Sequence, residues 1–77
     1  MNITFVGGVK CNIVCDYDTK IKDVLDKFSN RVGKPKDKYR FLFKGDKLDK
    51  NDERKIENIL TNVNCEHIII TAIELGI

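Results

Sequence analysis

Two runs of alternating apolar residues on either side of Gly7-Gly8 leave this chain few ways to fold. In a strand, successive side chains point to opposite faces, so a slip of one residue inverts the whole strand. Ile3 and Phe5 alternate with Asn2, Thr4 and Val6, and Cys11, Ile13 and Cys15 alternate with Lys10, Asn12 and Val14. A two-residue Gly-Gly turn would pair Val6 with Val9 and put Ile3 and Phe5 on the face opposite Ile13. A three-residue loop, Gly7-Gly8-Val9, pairs Val6 with Lys10 and gathers every inward residue on one side. The pattern predicts that loop, with a glycine in the left-handed region.

The remaining elements follow closely. Asp18-Thr19 offers capping oxygens before a helix. Ile21, Val24, Leu25, Phe28 and Val32 form a single apolar stripe at helical spacing. Gly33 is placed as the helix stop, and Pro35 bars continuation. Tyr39 to Phe43 reads as a strand with Phe41 and Phe43 on one face and Leu42 on the other. Lys44 to Lys47 reads as a turn, with a short return strand from Leu48. Asn51 to Glu53 is polar loop, Ile56, Ile59 and Leu60 anchor a short helical turn, and Asn62 to Asn64 form another loop. The last strand, His67 to Ile73, is apolar on both faces across Ile68-Ile69-Ile70, which predicts a central place in the sheet. One helix covering one face of a mixed sheet makes an α+β two-layer domain.

A chain of 77 residues is one domain, 1–77, with one modest core. Fourteen Lys and Arg against twelve Asp and Glu leave a net charge of +2, far from the basicity of a dedicated nucleic-acid module. No apolar run exceeds three residues, so no bilayer span is expected. The N-terminal residues show no signal-peptide pattern, and three cysteines suit a reducing compartment, so a soluble cytoplasmic or nuclear domain is expected. Cys11, Cys15, Cys65 and His67 add up to a zinc-like set, but the spacing argues against a metal site. Four strand residues span about 13 Å, whereas zinc-bound sulfurs lie within about 4 Å of one another. The same span rules out a Cys11–Cys15 disulfide. The cysteines are read as small buried residues, and His67 as an exposed or hydrogen-bonded strand residue.

Taken with its residues, the element order resembles the ubiquitin-like β-grasp family over nearly the whole chain. The matching stretches are Met1 to Phe5, Asp18 to Val24, Val32 to Asp37 and Arg40 to Asp49. Arg40-Phe-Leu-Phe-Lys-Gly45 is especially similar to the small ubiquitin-like modifiers, and the Ile-spaced helix followed by Pro is similar to ubiquitin. The resemblance implies a mixed sheet of four to five strands, one main helix on one face, and a short helical turn. Conjugating members end in Gly-Gly, because the terminal carboxylate must thread a narrow enzyme channel. Here Ile73-Glu-Leu-Gly-Ile77 has one glycine and lacks basic residues. Conjugation would require trimming of Ile77 to expose Gly76. The reading preferred over this is a domain cut from a longer chain.

Such domains bind partners through an apolar patch on the sheet face away from the helix. Parity independently turns Val6, Leu42, Ile69 and Ile73 to that face. The resemblance places Leu42 and Ile69 at two centres of the binding face and Thr71 at a third. Gly45 would let a partner backbone approach, and Arg40 offers a rim charge. The alternative is that a neighbouring domain covers these residues. A second surface is the Lys10 to Asp16 edge, with Lys20, Lys22, Lys27 and Arg31 nearby, suited to an acidic-hydrophobic peptide added as a strand. The alternative for these lysines is a solvated helix face.

No catalytic set is legible, because one histidine, inward cysteines and scattered carboxylates supply no nucleophile with an orienting base. No cofactor or metal is expected. Nucleic acid is not expected either: Lys34, Lys36, Lys38, Arg40, Lys44, Lys47 and Lys50 crowd one region, but acids interrupt them and no stacking platform accompanies them. The expectation is a noncatalytic, monomeric interaction domain of a larger protein in the ubiquitin–proteasome or quality-control system. Its partners would be ubiquitin-binding helical modules or proteasome-type receptors. The alternative is a free modifier conjugated through Gly76.

Overall fold

In the computed structural model, which describes residues 1–60 and 66–76, strand β1 (Asn2–Gly7) and strand β2 (Cys11–Val14) pair antiparallel. Ile3 lies opposite Ile13 and Phe5 opposite Cys11, the register that parity requires of a three-residue loop. Gly7 carries the positive φ, +120°. Helix α1 (Ile21–Val32), a 3₁₀ turn (Lys36–Lys38), strand β3 (Tyr39–Phe43), strand β4 (Asp46–Leu48), helix α2 (Ile56–Ile59) and strand β5 (His67–Glu74) follow. The sheet order is β2-β1-β5-β3-β4, with β5 parallel to β1 and the other pairs antiparallel. The last strand is therefore central, as expected, although only Ile68 and Ile70 of its apolar run are buried and Ile69 is exposed on the outer face. The fold is α+β and ubiquitin-like, with a five-stranded mixed sheet. The expected loop at 62–64, Cys65 and Ile77 lie outside the described residues.

The core sits between the inner sheet face and α1. Ile3, Phe5, Ile13, Phe41, Phe43, Ile68, Ile70 and Ala72 meet Ile21, Val24, Leu25 and Phe28, with Ile56 closing one side. Phe28 is the hub. Its ring stacks on Phe5 at 4.3 Å and meets Tyr39 and Phe41 edge-on at 5.1 and 5.6 Å. Val32, the last member of the apolar stripe, is only half-buried. Cys11 and Cys15 both point inward and are buried, and burial pushes the Cys15 thiol pKa up.

Three local expectations are corrected. The helix is not capped by Asp18-Thr19: its N-cap is Lys20, with no side-chain cap. The first amides instead donate to distant carbonyls, Ile21 to Arg54 (2.8 Å) and Lys22 to Asp52 (3.0 Å). Ile56 and Glu57 donate back to Thr19 and Tyr17 (2.9 and 3.0 Å), so 17–22 and 52–57 are zipped together. Backbone acceptors from far along the chain thus satisfy the orphan donors that a cap would have taken. The Thr19 hydroxyl instead accepts from the Asp16 amide at 3.2 Å. Second, the turn after β3 is two residues, Lys44-Gly45, with φ of 52° and 85°. Positive φ at both positions is the tight hairpin geometry, so β4 begins at Asp46 rather than Leu48. Third, β2 ends at Val14 and β5 runs on to Glu74.

The Tyr39 hydroxyl is buried and finds no hydrogen-bond partner among the described residues. A buried unsatisfied hydroxyl costs about 1–3 kcal/mol. Tyr39→Phe should therefore hold or raise the melting temperature, by about 4–8 °C per kcal/mol in a domain of this size. A fall on thermal denaturation would show that the hydroxyl is satisfied after all.

Candidate functional site

The outward sheet face is built by register. Thr71 on β5 lies opposite Val6 on β1 and opposite Leu42 on β3, and Leu42 in turn faces Lys47 on β4. Val6, Thr71, Leu42 and Lys47 thus form one row across four strands. Ile73, two residues on from Thr71, lies opposite Arg40, and Ile69, two residues back, lies opposite Thr4. Both isoleucines are diagonal neighbours of Leu42, within reach of its side chain. Ile69 and Ile73 are 53% and 42% exposed, while Val6, Leu42 and Thr71 are half-buried. Gly45 stands at the tip of the β3–β4 hairpin beside this face. Six of the seven residues singled out from the sequence therefore share one side of the sheet, with Gly45 in the turn at its end, and Leu42 and Ile69 are neither enclosed nor distant.

The face is bounded by polar groups on its β1–β2 side. His67 Nε2 lies 2.7 Å from Thr4 Oγ1, and Thr4 Oγ1 lies 3.5 Å from Asn12 Oδ1. Its charge is one-sided. Among outward positions of the five strands, Arg40 and Lys47 are cationic and no carboxylate appears. Sequence reasoning passed over two exposed apolar residues, Val14 (68%) and Leu75 (41%). Val14 had the right parity as a signal, but it lies across β1 from the patch, beside Asn2.

The β2 edge is open, as its place at the end of the sheet requires. Between it and α1 runs a shallow groove of about 510 Å³ lined by Asn12, Ile13, Val14, Lys27, Asn30 and Arg31. Lys27 and Arg31 belong to this edge. Lys20 and Lys22 do not: they pair with Glu53 at 3.0 and 2.8 Å. Hydrogen bonds from Lys22 and then Lys20 hold the Glu53 carboxyl below its ordinary range. Their attraction to Glu53, in the segment zipped to the start of α1, draws them away from the edge.

The basic region from 34 to 50 is likewise mostly committed. Lys34 pairs with Glu74, Lys36 with Asp26 (2.9 Å) and Lys50 with Asp37. Lys44 lies over the Phe43 ring at 5.4 Å from its centroid. Tyr39, Phe41 and Phe43, the aromatics within this region, are all buried, Tyr39 against Phe28. Among the described residues no cluster of His, Cys, Asp and Glu could hold a metal ion, and no helix is long and apolar enough to cross a membrane. The tail is tied down: Glu74 pairs with Tyr39 in the ladder, and the Leu75 amide donates to the Lys38 carbonyl at 2.7 Å.

Comparison with known proteins places these observations. Residues 3–59 match the family model described as ubiquitin-2 like Rad60 SUMO-like. Among solved structures, the ubiquitin of Caldiarchaeum subterraneum superposes with a TM-score of 0.80 at 18% identity, covering 100% of this chain and 95% of that one. At that identity the superposition speaks for the fold alone. No curated protein sequence matches the chain.

Proposed function

We propose that this chain, since it belongs to the ubiquitin-2 like Rad60 SUMO-like family, serves as a noncatalytic protein-interaction domain. Ubiquitin-like domains of this kind mediate contacts between proteins, and the surface we assign to that role is the outward sheet face. Val6, Leu42, Ile69, Thr71 and Ile73 would make the apolar contact, with Arg40 and Gly45 at its rim. The observation that carries this reading is the grouping of two well-exposed isoleucines around Leu42 on the layer opposite α1. Isolated exposed hydrophobes need no explanation, whereas a contiguous set marks an interaction site.

The setting we propose is a larger protein of the ubiquitin–proteasome or quality-control system, in cytoplasm or nucleus. Its partners would be helical ubiquitin-binding modules or proteasome-type receptors. The tail supports a module over a modifier conjugated through Gly76. A conjugated terminus must enter an enzyme channel in extended form, and here the strand pairs to Glu74 and the Leu75 amide is held by Lys38. The open β2 edge, with Lys27 and Arg31 beside it, supports a lesser role in receiving an acidic-hydrophobic strand.

The test is titration of the isotope-labelled chain with helical ubiquitin-binding modules, followed by amide shifts. Binding in the micromolar range is expected, with shifts centred on Leu42, Thr71 and Ile73. Leu42→Asp or Ile69→Asp should weaken it by about thirtyfold or more, the scale of a lost hot spot, while the spectrum stays dispersed. Retained binding in both variants would remove the assignment of this face.

A further inference from the structure

We propose that the buried Tyr39 hydroxyl is the floor of a binding site for a phosphate group, at the end of the core beyond helix α1. The site lies apart from the outward sheet face and does not depend on its assignment. Tyr39 is 5% exposed, and its ring stands on the α1 side of β3, against Phe28 and Phe41 at 5.1 and 6.0 Å. Past that ring the core is closed by Val9, in the β1–β2 loop, and Val32, at the end of α1, both half-buried. Val9, Val32 and Tyr39 line an open cavity of about 500 Å³, and Lys10, Arg31 and Lys34 stand around it. The hydroxyl is shut off from solvent and has no hydrogen-bond partner among the described residues.

Two observations of different kinds point to an anion. The first is the hydroxyl itself. A phenylalanine would fill the same space, whereas a buried donor without an acceptor costs stability. An ionised phosphate oxygen is the strong acceptor it lacks. The second is charge. No carboxylate lines the cavity, and Lys10 and Arg31 form no ion pair among the described residues. Lys34 is held by Glu74. Two uncommitted cations match the charge of about −1.5 to −2 that a phosphate monoester carries near neutral pH. The carboxyl end of a helix disfavours an anion, but Arg31 stands in the last turn of α1 and offsets it, and the Gly33 amide closes the Ser29 carbonyl at 2.9 Å. Entry requires the half-buried Val9 and exposed Lys34 side chains to move aside, with no rearrangement of the sheet.

The experiment titrates the isotope-labelled 77-residue chain with inorganic phosphate and, separately, phenyl phosphate, at fixed ionic strength. Saturable binding near about 1 mM is expected, with amide shifts at Val9, Lys10, Arg31, Val32 and Tyr39. Tyr39→Phe, which should fold at least as stably, should weaken binding about tenfold, the scale of one hydrogen bond to a charged group. Lys10→Gln with Arg31→Gln should weaken it by at least as much and leave binding of helical modules at the sheet face unchanged. Tighter binding of phenyl phosphate would identify the ligand as an ester resting its apolar part on Val9 and Val32. Equal affinity would identify free phosphate, and either result supports the site. Unchanged affinity in the Tyr39 variant would overturn the proposal. So would shifts spread over the exposed lysines in general, the mark of an adventitious ion only, or the lack of saturation by about 20 mM, a concentration at which a millimolar site is filled.

Discussion

Phe28→Ala should bring this domain to the edge of unfolding. The ring is fully buried, stacks on Phe5, and is met edge-on by Tyr39 and Phe41, so its removal strips one partner from each of three aromatic contacts. Truncation of a core Phe to Ala costs about 3–5 kcal/mol, through lost burial and the cavity left behind. A folded chain of 77 residues holds about 4–12 kcal/mol in all. Urea denaturation should therefore show a midpoint lowered by about a quarter or more, or no folded baseline. Ile69→Ala, on the outward face, should change stability by less than about 0.5 kcal/mol. A Phe28 variant as stable as the Ile69 one would mean that the ring is not the hub of the core.

Gly7→Ala should be nearly as damaging, although it adds a single methyl group. A Cβ at position 7 would lie 2.4 Å from the Ala72 carbonyl oxygen, and the backbone there has φ +120°. Neither partner can yield easily, because Gly7 and Ala72 are paired in the parallel ladder between β1 and β5. Backbone strain of about 1–3 kcal/mol adds to overpacking of about 1–3 kcal/mol. Gly8→Ala offers the contrast. Its Cβ would meet the Glu74 Cβ at 3.6 Å, an ordinary contact, and no positive φ is involved. That variant should be neutral or stabilised by a few tenths of a kcal/mol, since alanine narrows the unfolded ensemble. Thermal melts of the pair decide the matter: equal transitions would contradict the close approach at Gly7.

The inside–outside assignment of the strands was legible before any coordinates. Every strand residue read as inward, from Ile3 and Phe5 to Ile70 and Ala72, is buried, and the hairpin loop length followed from the same parity. The helix stripe was equally clear, down to its stop at Gly33. What failed were local readings that distant chain overrode. Asp18-Thr19 has cap chemistry, but the carbonyls of Asp52 and Arg54 reached the helix amides first. Lys20 and Lys22 looked like the flank of the β2 edge until Glu53 drew them off. Leu48 looked like a strand start because the turn at Lys44-Gly45 needs positive φ at a lysine, a conformation that composition does not advertise.

The amino-acid order by itself determined which side chains face the core, because strand and helix periods are properties of consecutive residues. It likewise pointed to the central place of the last strand, between β1 and β3, but not to the bare outer face of that strand, where Ile69 stays exposed while Ile68 and Ile70 are buried. Only the tertiary structure decided which outward residues stand side by side. Thr71 between Val6 and Leu42, and Arg40 across from Ile73, are pairings between strands far apart in the chain. The same holds for charge and space: that Lys34 pairs with Glu74, while Arg40 and Lys47 have no ion-pair partner among the described residues, and that Gly7 rather than Gly8 is hemmed in by Ala72, depends on atoms brought close only when β5 inserts between β1 and β3.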